Sequence, residues 1–151
     1  MTLRLLLKTV IGNKGFRATA AYRLKNYAYF TNKAVLLKFF LFINAIINGI
    51  DISHRAEIGL GLQMPHAQCI VIGDATIGDN ITIYPGVTIG ATWNKERQGR
   101  RYPTIGEGVK ISTGAKIIGP VSIGENSVIG ANAVVTHDIQ QIVLQLEFRR
   151  R

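Results

Sequence analysis

Aliphatic residues recur at every sixth position from residue 52 onward. The first run contains Ile52, Ile58, Met64 and Ile70. The period resumes after one extra residue, and again after a longer insertion, through Ile77, Ile83, Ile89, Ile105, Ile111, Ile117, Ile123, Ile129 and Val135. A six-residue unit of short strand and turn cannot bury its own aliphatic side chain, whereas stacked units can. The period therefore predicts a mainly β fold, a β-helix of hexapeptide repeats.

Two other positions of the repeat support this prediction. A smaller or β-branched residue follows four positions after the aliphatic residue, at Ala56, Ile81, Val87, Val109, Ala115, Val121, Ser127 and Ala133. Asn or Gly follows three positions after it, at Asn80, Gly86, Gly108, Gly114, Asn126 and Asn132. Asn and Gly best tolerate the positive φ that a tight turn requires. We therefore expect a turn at this position of each repeat.

The first 50 residues follow a different pattern. Apolar positions between 35 and 50 recur at steps of three and four, which predicts a helix that is buried on several sides. Residues 16–30 are also typical of a helix, which would form a short hairpin with the first. We therefore divide the chain into a helical segment at 1–50, a β-helix domain at 51–140 and a tail at 141–151.

Charge is distributed unevenly along the chain. The net charge is +9, and residues 1–50 contribute +8 because they contain eight basic residues and no acidic one. A near-neutral body with a basic N-terminal segment is not a general nucleic-acid binder. It could make a peripheral contact with a membrane or an acidic glycan. The chain has no secretory signal pattern and no apolar run of typical membrane-spanning length.

A single cysteine, Cys69, excludes a disulfide framework and every multi-cysteine zinc pattern within this sequence. One thiol is compatible with a reducing compartment. We therefore expect a cytoplasmic protein, with the inner face of the membrane as the site of any peripheral contact.

The longest break in the period is the loop at 91–104. Ile89 and Ile105 are 16 residues apart where six would suffice, so ten residues are inserted. The loop contains one Trp and four basic residues against one Glu. This composition suits a lid over a phosphate-bearing ligand, and a solvated loop without a partner is the alternative.

A second break falls at residues 64–69, where Pro65 and His66 replace the usual turn residues. Asp51 lies 15 residues before His66. An imidazole oriented by a carboxylate is a common general base for taking a proton from a hydroxyl. The residues alone leave this role open against that of a surface histidine. His54 and His137 lack a comparable arrangement, and we expect surface or packing roles for them.

Several stretches look like the serine acetyltransferase family of left-handed β-helix enzymes. They are DISHRAEIG at 51–59, His66-Ala67, IVIGDATIGD at 70–79 and GEGVKISTGAKIIG at 106–119. Gly15-Phe16 and AAYR at 20–23 resemble that family's helical lead-in, here shortened. The short N-terminal segment and the run RYPTI at 101–105 resemble the subset that is associated with bacterial surface polysaccharide.

The resemblance implies a left-handed coil, a homotrimer and acetyl-CoA bound between neighbouring subunits. His66 would be the general base and Asp51 would orient it. Arg101, Tyr102 and Pro65 would contact the acceptor. Ala91, Thr92, Thr113 and Gly114 would contact acetyl-CoA, with no metal ion required.

The chain departs from the family pattern at three places. Pro65 stands where the family has an aspartate that helps to hold the amino acid, and Tyr102 stands where it has a second histidine. The chain also lacks the family's Gly-Val-Pro-Ala-type segment after the last repeat. The acceptor implied is therefore a sugar of a surface polysaccharide or L-serine.

Two other functions compete with acetyl transfer. A trimer that keeps the scaffold without the chemistry would explain the missing C-terminal motif. A zinc lyase similar to the γ-type carbonic anhydrases needs three converging imidazoles, and the spacing of the three histidines here does not match it.

Overall fold

The structure is a computed structural model. It describes residues 14–33, 49–93 and 99–140, together with 35, 38, 39, 42 and 46. The tail at 141–151 and the centre of the inserted loop, 94–98, lie outside the described residues.

Within the described ranges, the main elements are one continuous helix and twelve short parallel strands. Helix α1 spans Lys14–Phe30. The strands are β1 (Ile50–Ile52), β2 (Glu57–Ile58), β3 (Ile70–Ile72), β4 (Thr76–Ile77), β5 (Thr82–Ile83), β6 (Thr88–Gly90), β7 (Thr104–Ile105), β8 (Lys110–Ile111), β9 (Lys116–Ile118), β10 (Ser122–Ile123), β11 (Val128–Ile129) and β12 (Val134–Val135).

The strands form three parallel sheets around one core. The first sheet has the order β1-β3-β6-β9-β12, the second β10-β7-β4-β2 and the third β11-β8-β5. The chain visits the three sheets in turn and then begins the next coil, so the predicted β-helix is confirmed. The coil from Lys116 to its partner Val134 is 18 residues long. The coil from Thr88 to its partner Lys116 is 28, which confirms the ten inserted residues.

Buried aliphatic side chains stack along the axis of the helix. In the first sheet Ile52, Ile72, Ile89, Ile117 and Val135 stand in register. All five are buried, and each such burial contributes about 1.5–3 kcal/mol. The predicted turn residues also adopt positive φ, at Asn80, Asn126, Asn132, Gly86, Gly108 and Gly114.

The predicted register is wrong at Ile70. The six-residue spacing from Met64 suggested that Ile70 continues the row of Ile52, but Ile70 pairs with Ile50 and it is Ile72 that pairs with Ile52. Two extra residues lie in the turn after Met64, and a shorter turn follows between Ile72 and Ile77. The longer turn and the shorter turn nearly cancel in residue number, so the six-residue spacing does not reveal them.

Helix α1 covers the open end of the first coil. Its buried side chains, Ala18, Ala21, Tyr22, Lys25 and Ala28, recur at helical spacing. The Tyr22 hydroxyl donates to the Ala56 carbonyl (2.7 Å), and the Arg23 guanidinium donates to the carbonyls of Ile58 and Gly59. These donors satisfy strand carbonyls that have no preceding coil to pair with.

The segment after α1 differs from its prediction. Residues 35, 38, 39 and 42 are helical, but Val35, Phe39, Phe42 and Ile46 are exposed within the chain rather than buried. Their contact with other subunits stays a prediction. No helix of the described part of the chain is long and apolar enough to span a membrane.

Candidate active site on two edges of the β-helix

The turn that carries His66 joins the third sheet to the first. Buried Met64 and Ile70 anchor its two ends, and buried Ala67 points into the core between them. His66 and Cys69 are exposed, and both have φ of 52°. Residues other than Gly adopt this conformation in only a few per cent of cases, although His is enriched among them, and it often marks a functional position. The turn therefore holds the imidazole outside the prism on a rigid base.

Asp51 lies in β1 between buried Ile50 and Ile52, so its side chain points outward from the first sheet. The Cys69 amide donates to the Gly49 carbonyl (2.7 Å), which ties the His66 turn to the start of β1. The strand that carries Asp51 therefore begins at the edge of the prism where His66 lies.

Lys25 of α1 contacts the strand that carries Asp51. Its side chain is fully buried, and its Nζ donates to the carbonyl of Ile52, the residue after Asp51. Burial lowers the pKa of Lys25 to about 8, while the nearby Asp51 carboxylate acts in the opposite direction. Lys25 thus links α1 to the strand that carries Asp51.

Thr113 and Gly114 continue this edge. Successive turns are joined by hydrogen bonds from the Gly86 amide to Gln68 (3.0 Å), from Gly114 to Pro85 (2.8 Å) and from Asn132 to Thr113 (2.9 Å). We call this column, residues 65–69, 84–86, 112–114 and 130–132, the histidine edge. Thr113 lies two coils from His66, about 10 Å along the axis at the usual strand spacing.

The inserted loop leaves the prism at another edge, where the first sheet passes to the second. We call this the loop edge, formed by residues 73–75, 91–93, 99–103 and 119–121. Ala91 and Thr92 lie at its start. The Thr92 side chain packs against Gly119, and a Cβ added at Gly119 would lie 3.4 Å from the Thr92 methyl carbon. The Thr92 hydroxyl is buried, and it has no hydrogen-bond partner among the described residues. An orphaned buried hydroxyl fits a position that a ligand completes.

Arg101 and Tyr102 lie at the other end of the loop. An Arg101 Nη donates to the Trp93 carbonyl (3.4 Å), and the Trp93 side chain is almost fully exposed. The Tyr102 ring packs over Gly73, where a Cβ would come within 2.4 Å of the ring. Gly73 is therefore required for this packing, and the Tyr102 ring fixes the returning end of the loop.

The predicted site residues thus fall into two groups within one chain. Asp51, Pro65, His66, Thr113 and Gly114 share the histidine edge or its margin. The remaining four, Ala91, Thr92, Arg101 and Tyr102, share the loop edge. The width of the first sheet separates the two groups, which we call the two candidate half-sites.

The other histidines have packing partners, in line with their predicted roles. The His54 ring packs against Tyr29 with centroids 4.5 Å apart, and His137 Nδ1 lies 3.0 Å from the Thr136 hydroxyl. Within the described ranges, no group of three His, Cys, Asp or Glu residues is arranged to hold a metal ion.

Sequence reasoning missed Lys25 and Gly73. Lys25 falls on the same helical stripe as Ala18, Ala21, Tyr22 and Ala28, a signal that would have placed it inside. Gly73 carries no sequence signal, because nothing local indicates that a distant ring occupies the space beside it.

Comparisons with known proteins agree with the fold and with the resemblance. The family model described as bacterial transferase hexapeptide (six repeats) matches residues 102–137. A serine acetyltransferase of Staphylococcus xylosus is 39% identical over 137 residues, which are 90% of this chain and 62% of that protein.

Solved structures of serine acetyltransferases are also similar. The Neisseria gonorrhoeae enzyme in complex with serine has a TM-score of 0.80 at 34% identity, covering 89% of this chain and 55% of that one. A serine acetyltransferase in complex with CoA has a TM-score of 0.78 at 34% identity, with 89% and 55% covered. The chain therefore spans about three-fifths of the length of its curated relatives.

These likenesses confirm the fold prediction: the chain has the left-handed, hexapeptide-repeat β-helix fold and is similar in sequence and structure to serine acetyltransferases.

Proposed function

We propose that the chain is an acetyl-CoA-dependent O-acetyltransferase. The observation that carries the proposal is the 39% identity to a serine acetyltransferase across nine-tenths of the chain, which includes both half-sites. The exposed His66 turn and the orphaned Thr92 hydroxyl support it.

In this proposal His66 acts as the general base. The imidazole removes the proton from an acceptor hydroxyl, and the oxygen attacks the thioester carbonyl of acetyl-CoA. The C–S bond then breaks, and the proton passes from the imidazolium to the departing CoA thiolate. Asp51 holds the imidazole in the tautomer that accepts the proton and stabilises the imidazolium.

Acetyl-CoA would lie along the histidine edge. The pantetheine arm would run from the His66 turn towards the backbone of Thr113 and Gly114. Ala91 and Thr92 would border the thiol end, and Arg101 would contact the acceptor. Arg101 suits this role because its guanidinium can bind an oxygen-rich group with two parallel hydrogen bonds.

A homotrimer would join the two half-sites. The histidine edge of one subunit would face the loop edge of the next, and a three-fold axis would repeat this pairing three times. The separation of the two edges within one chain is the geometric support for this arrangement. We also place the enzyme in the cytoplasm, as the single cysteine suggests.

Release of CoA thiol tests the function. The full chain should release CoA from acetyl-CoA when L-serine or a saccharide is supplied, and His66→Ala should lower the rate by about 10²–10⁴-fold. His137→Ala removes another exposed histidine, which is not among the predicted site residues, and is the matched control. A rate for His66→Ala within about threefold of the original chain would refute the general base.

A non-catalytic trimer that keeps the scaffold without the chemistry is the second candidate. Calorimetry distinguishes the two functions. Saturable binding of CoA supports the enzyme, and the absence of any binding supports the scaffold.

We also propose that the basic N-terminal segment makes a peripheral contact with a membrane or an acidic glycan. The exposed side chains of Val35, Phe39, Phe42 and Ile46 recur on one helical face, and Lys38 lies beside them. An apolar face with flanking cations binds anionic membranes. Cosedimentation with phosphatidylglycerol vesicles, but not with phosphatidylcholine vesicles, would support a membrane, and Phe42→Ser should weaken it.

A further inference from the structure

A cleft of about 540 Å³ lies between the second half of α1 and the outer side of the second sheet. Tyr29 and Phe30 line it from the helix. Arg55 lines it from the turn before β2, and Glu57 and Thr76 line it from β2 and β4. None of the lining residues that the structure describes belongs to the histidine edge or to the loop edge. The cleft is therefore a separate candidate binding site.

The amide of Asn26, which is part of the lining, provides a buried acceptor. Asn26 Nδ2 donates to the Tyr22 hydroxyl (2.9 Å), and this hydroxyl donates to the Ala56 carbonyl (2.7 Å). Because the hydroxyl has given its proton to Ala56, it can only accept from Asn26, so the amide nitrogen must face Tyr22. Asn26 Oδ1 is buried, and it has no hydrogen-bond partner among the described residues. A bound molecule with an N–H group would satisfy this oxygen.

The lining also carries charges of both signs. Glu57 is exposed on β2, and within the described ranges it makes no ion pair. Arg55 is exposed and lies 4.0 Å from Asp74, so it gains little from this surface ion pair. The guanidinium of Arg23 differs, because it already donates to two backbone carbonyls of the first coil. Glu57 and Arg55 are therefore available to a ligand that bears both an ammonium and a carboxylate.

Aromatic rings form the wall of the cleft on the side of the helix. The Tyr29 ring packs on His54 with centroids 4.5 Å apart, and the Phe30 ring meets the Tyr29 ring edge-on at 5.5 Å. Both tyrosine and phenylalanine rings remain exposed within the chain. Aromatic rings pair favourably at such separations, so this wall suits a ligand that carries a ring of its own.

We propose that this cleft binds a free α-amino acid with an aromatic side chain. The ammonium donates to Asn26 Oδ1 and pairs with Glu57, the carboxylate pairs with Arg55, and the ring packs on Tyr29 and Phe30. A few placed polar groups beside an apolar wall are typical of small-molecule sites. The inference goes beyond acetyl transfer, because this binding uses neither half-site.

The first test removes one charged group of the ligand at a time. Calorimetry with the unaltered full chain, without acetyl-CoA, compares L-phenylalanine with 3-phenylpropionate and 2-phenylethylamine. We expect L-phenylalanine to bind with a Kd of about 1 mM or tighter. 3-Phenylpropionate should bind at least about tenfold more weakly because it leaves the Asn26 oxygen unpaired. 2-Phenylethylamine should bind about threefold more weakly because it loses only the exposed contact with Arg55.

The second test changes the lining. Asn26→Leu should weaken L-phenylalanine at least about tenfold, since it removes the buried acceptor. Arg55→Gln should weaken L-phenylalanine about threefold and leave 2-phenylethylamine unchanged, because that ligand has no carboxylate. Asn26→Leu also removes the hydrogen bond to Tyr22, so the exposed Arg55→Gln variant serves if Asn26→Leu folds poorly. Glu125→Gln is the matched control, because Glu125 is exposed and is not among the residues that line the cleft.

The results also separate this site from acetyl transfer. His66→Ala and Arg101→Ala should bind L-phenylalanine as the original chain does, and loss of binding in either would place the amino acid in the acetyl-transfer site and overturn the inference. L-Phenylalanine that binds no tighter than both analogues, or not at all up to about 10 mM, would also overturn it. An equal effect of Arg55→Gln on L-phenylalanine and 2-phenylethylamine would do the same. A failed CoA-release assay leaves these binding results unaffected, so the two proposals fail separately.

Discussion

The histidine edge and the loop edge border the same sheet, yet they are built in opposite ways. The histidine edge is a ladder of tight turns in which each turn is hydrogen-bonded to the next. The loop edge accommodates ten additional residues, and the described ends of the loop are held by the Tyr102 ring and by an Arg100 hydrogen bond to Thr104 (2.9 Å). The ladder suits the proposed general base, which must stay in place.

The comparison shows that an irregular segment of a repeat fold can be confined to one edge. Both edges rest on the same stack of isoleucines, so the scaffold can tolerate an insertion at one edge without moving the turns of the other. In the proposed function, each edge by itself carries only half of the groups that acetyl transfer needs.

Removing a core side chain between the edges should have the largest effect on stability. Ile117→Ala truncates a fully buried residue of the first sheet and leaves a cavity, so the free energy of unfolding should fall by about 2–5 kcal/mol. Urea denaturation measures this change. Val128→Ala, at an exposed strand position, should change stability by no more than about 0.5 kcal/mol. Equal losses for both variants would contradict the observed core.

Displacing the Tyr102 ring should affect the loop edge alone. Gly73→Ala adds a Cβ that would lie 2.4 Å from the ring, so the ring must move and the returning end of the loop with it. We expect kcat/KM for acetyl transfer to fall by about tenfold, because a small misplacement of binding groups is costly. Gly130→Ala on the histidine edge meets no atom within 4 Å and should act like the original chain. Loss of activity in both variants would contradict the expectation that only the loop edge is sensitive to an added Cβ.

The smallest effect should come from Lys25, through the pH dependence of stability. Its pKa in the folded chain is about 8, below the ordinary value of 10.5, so the unfolded chain holds more protons between these values. The contribution of Lys25 to the free energy of unfolding therefore rises as the pH increases from about 8 to 10.5. Lys25→Met should flatten the rise, whereas Lys110→Met, at an exposed position, should keep it. Thermal melts over this pH range measure the change in stability. An unchanged slope of stability against pH in Lys25→Met would refute the assignment of this pH dependence to Lys25.

Much of this architecture could be predicted from the sequence, because a six-residue period leaves few ways to bury an isoleucine. The inserted loop and the turn positions were also predictable, since both are local departures from the period. The register at Ile70 was not, because two opposite changes in turn length nearly cancel between Met64 and Ile77. The division of the site between two edges was not visible either, since it depends on which turn faces which sheet.

Subunit mixing tests the central claim that the two edges of different subunits form one site. His66→Ala and Arg101→Ala would be prepared separately, then unfolded together in equal amounts and refolded, with acetyl transfer measured at limiting acceptor. In random trimers one site in four would combine an intact histidine edge with an intact loop edge, so about a quarter of the original kcat/KM should return. A mixture no more active than the average of the two variants would show that each chain builds its own site, and it would contradict the account.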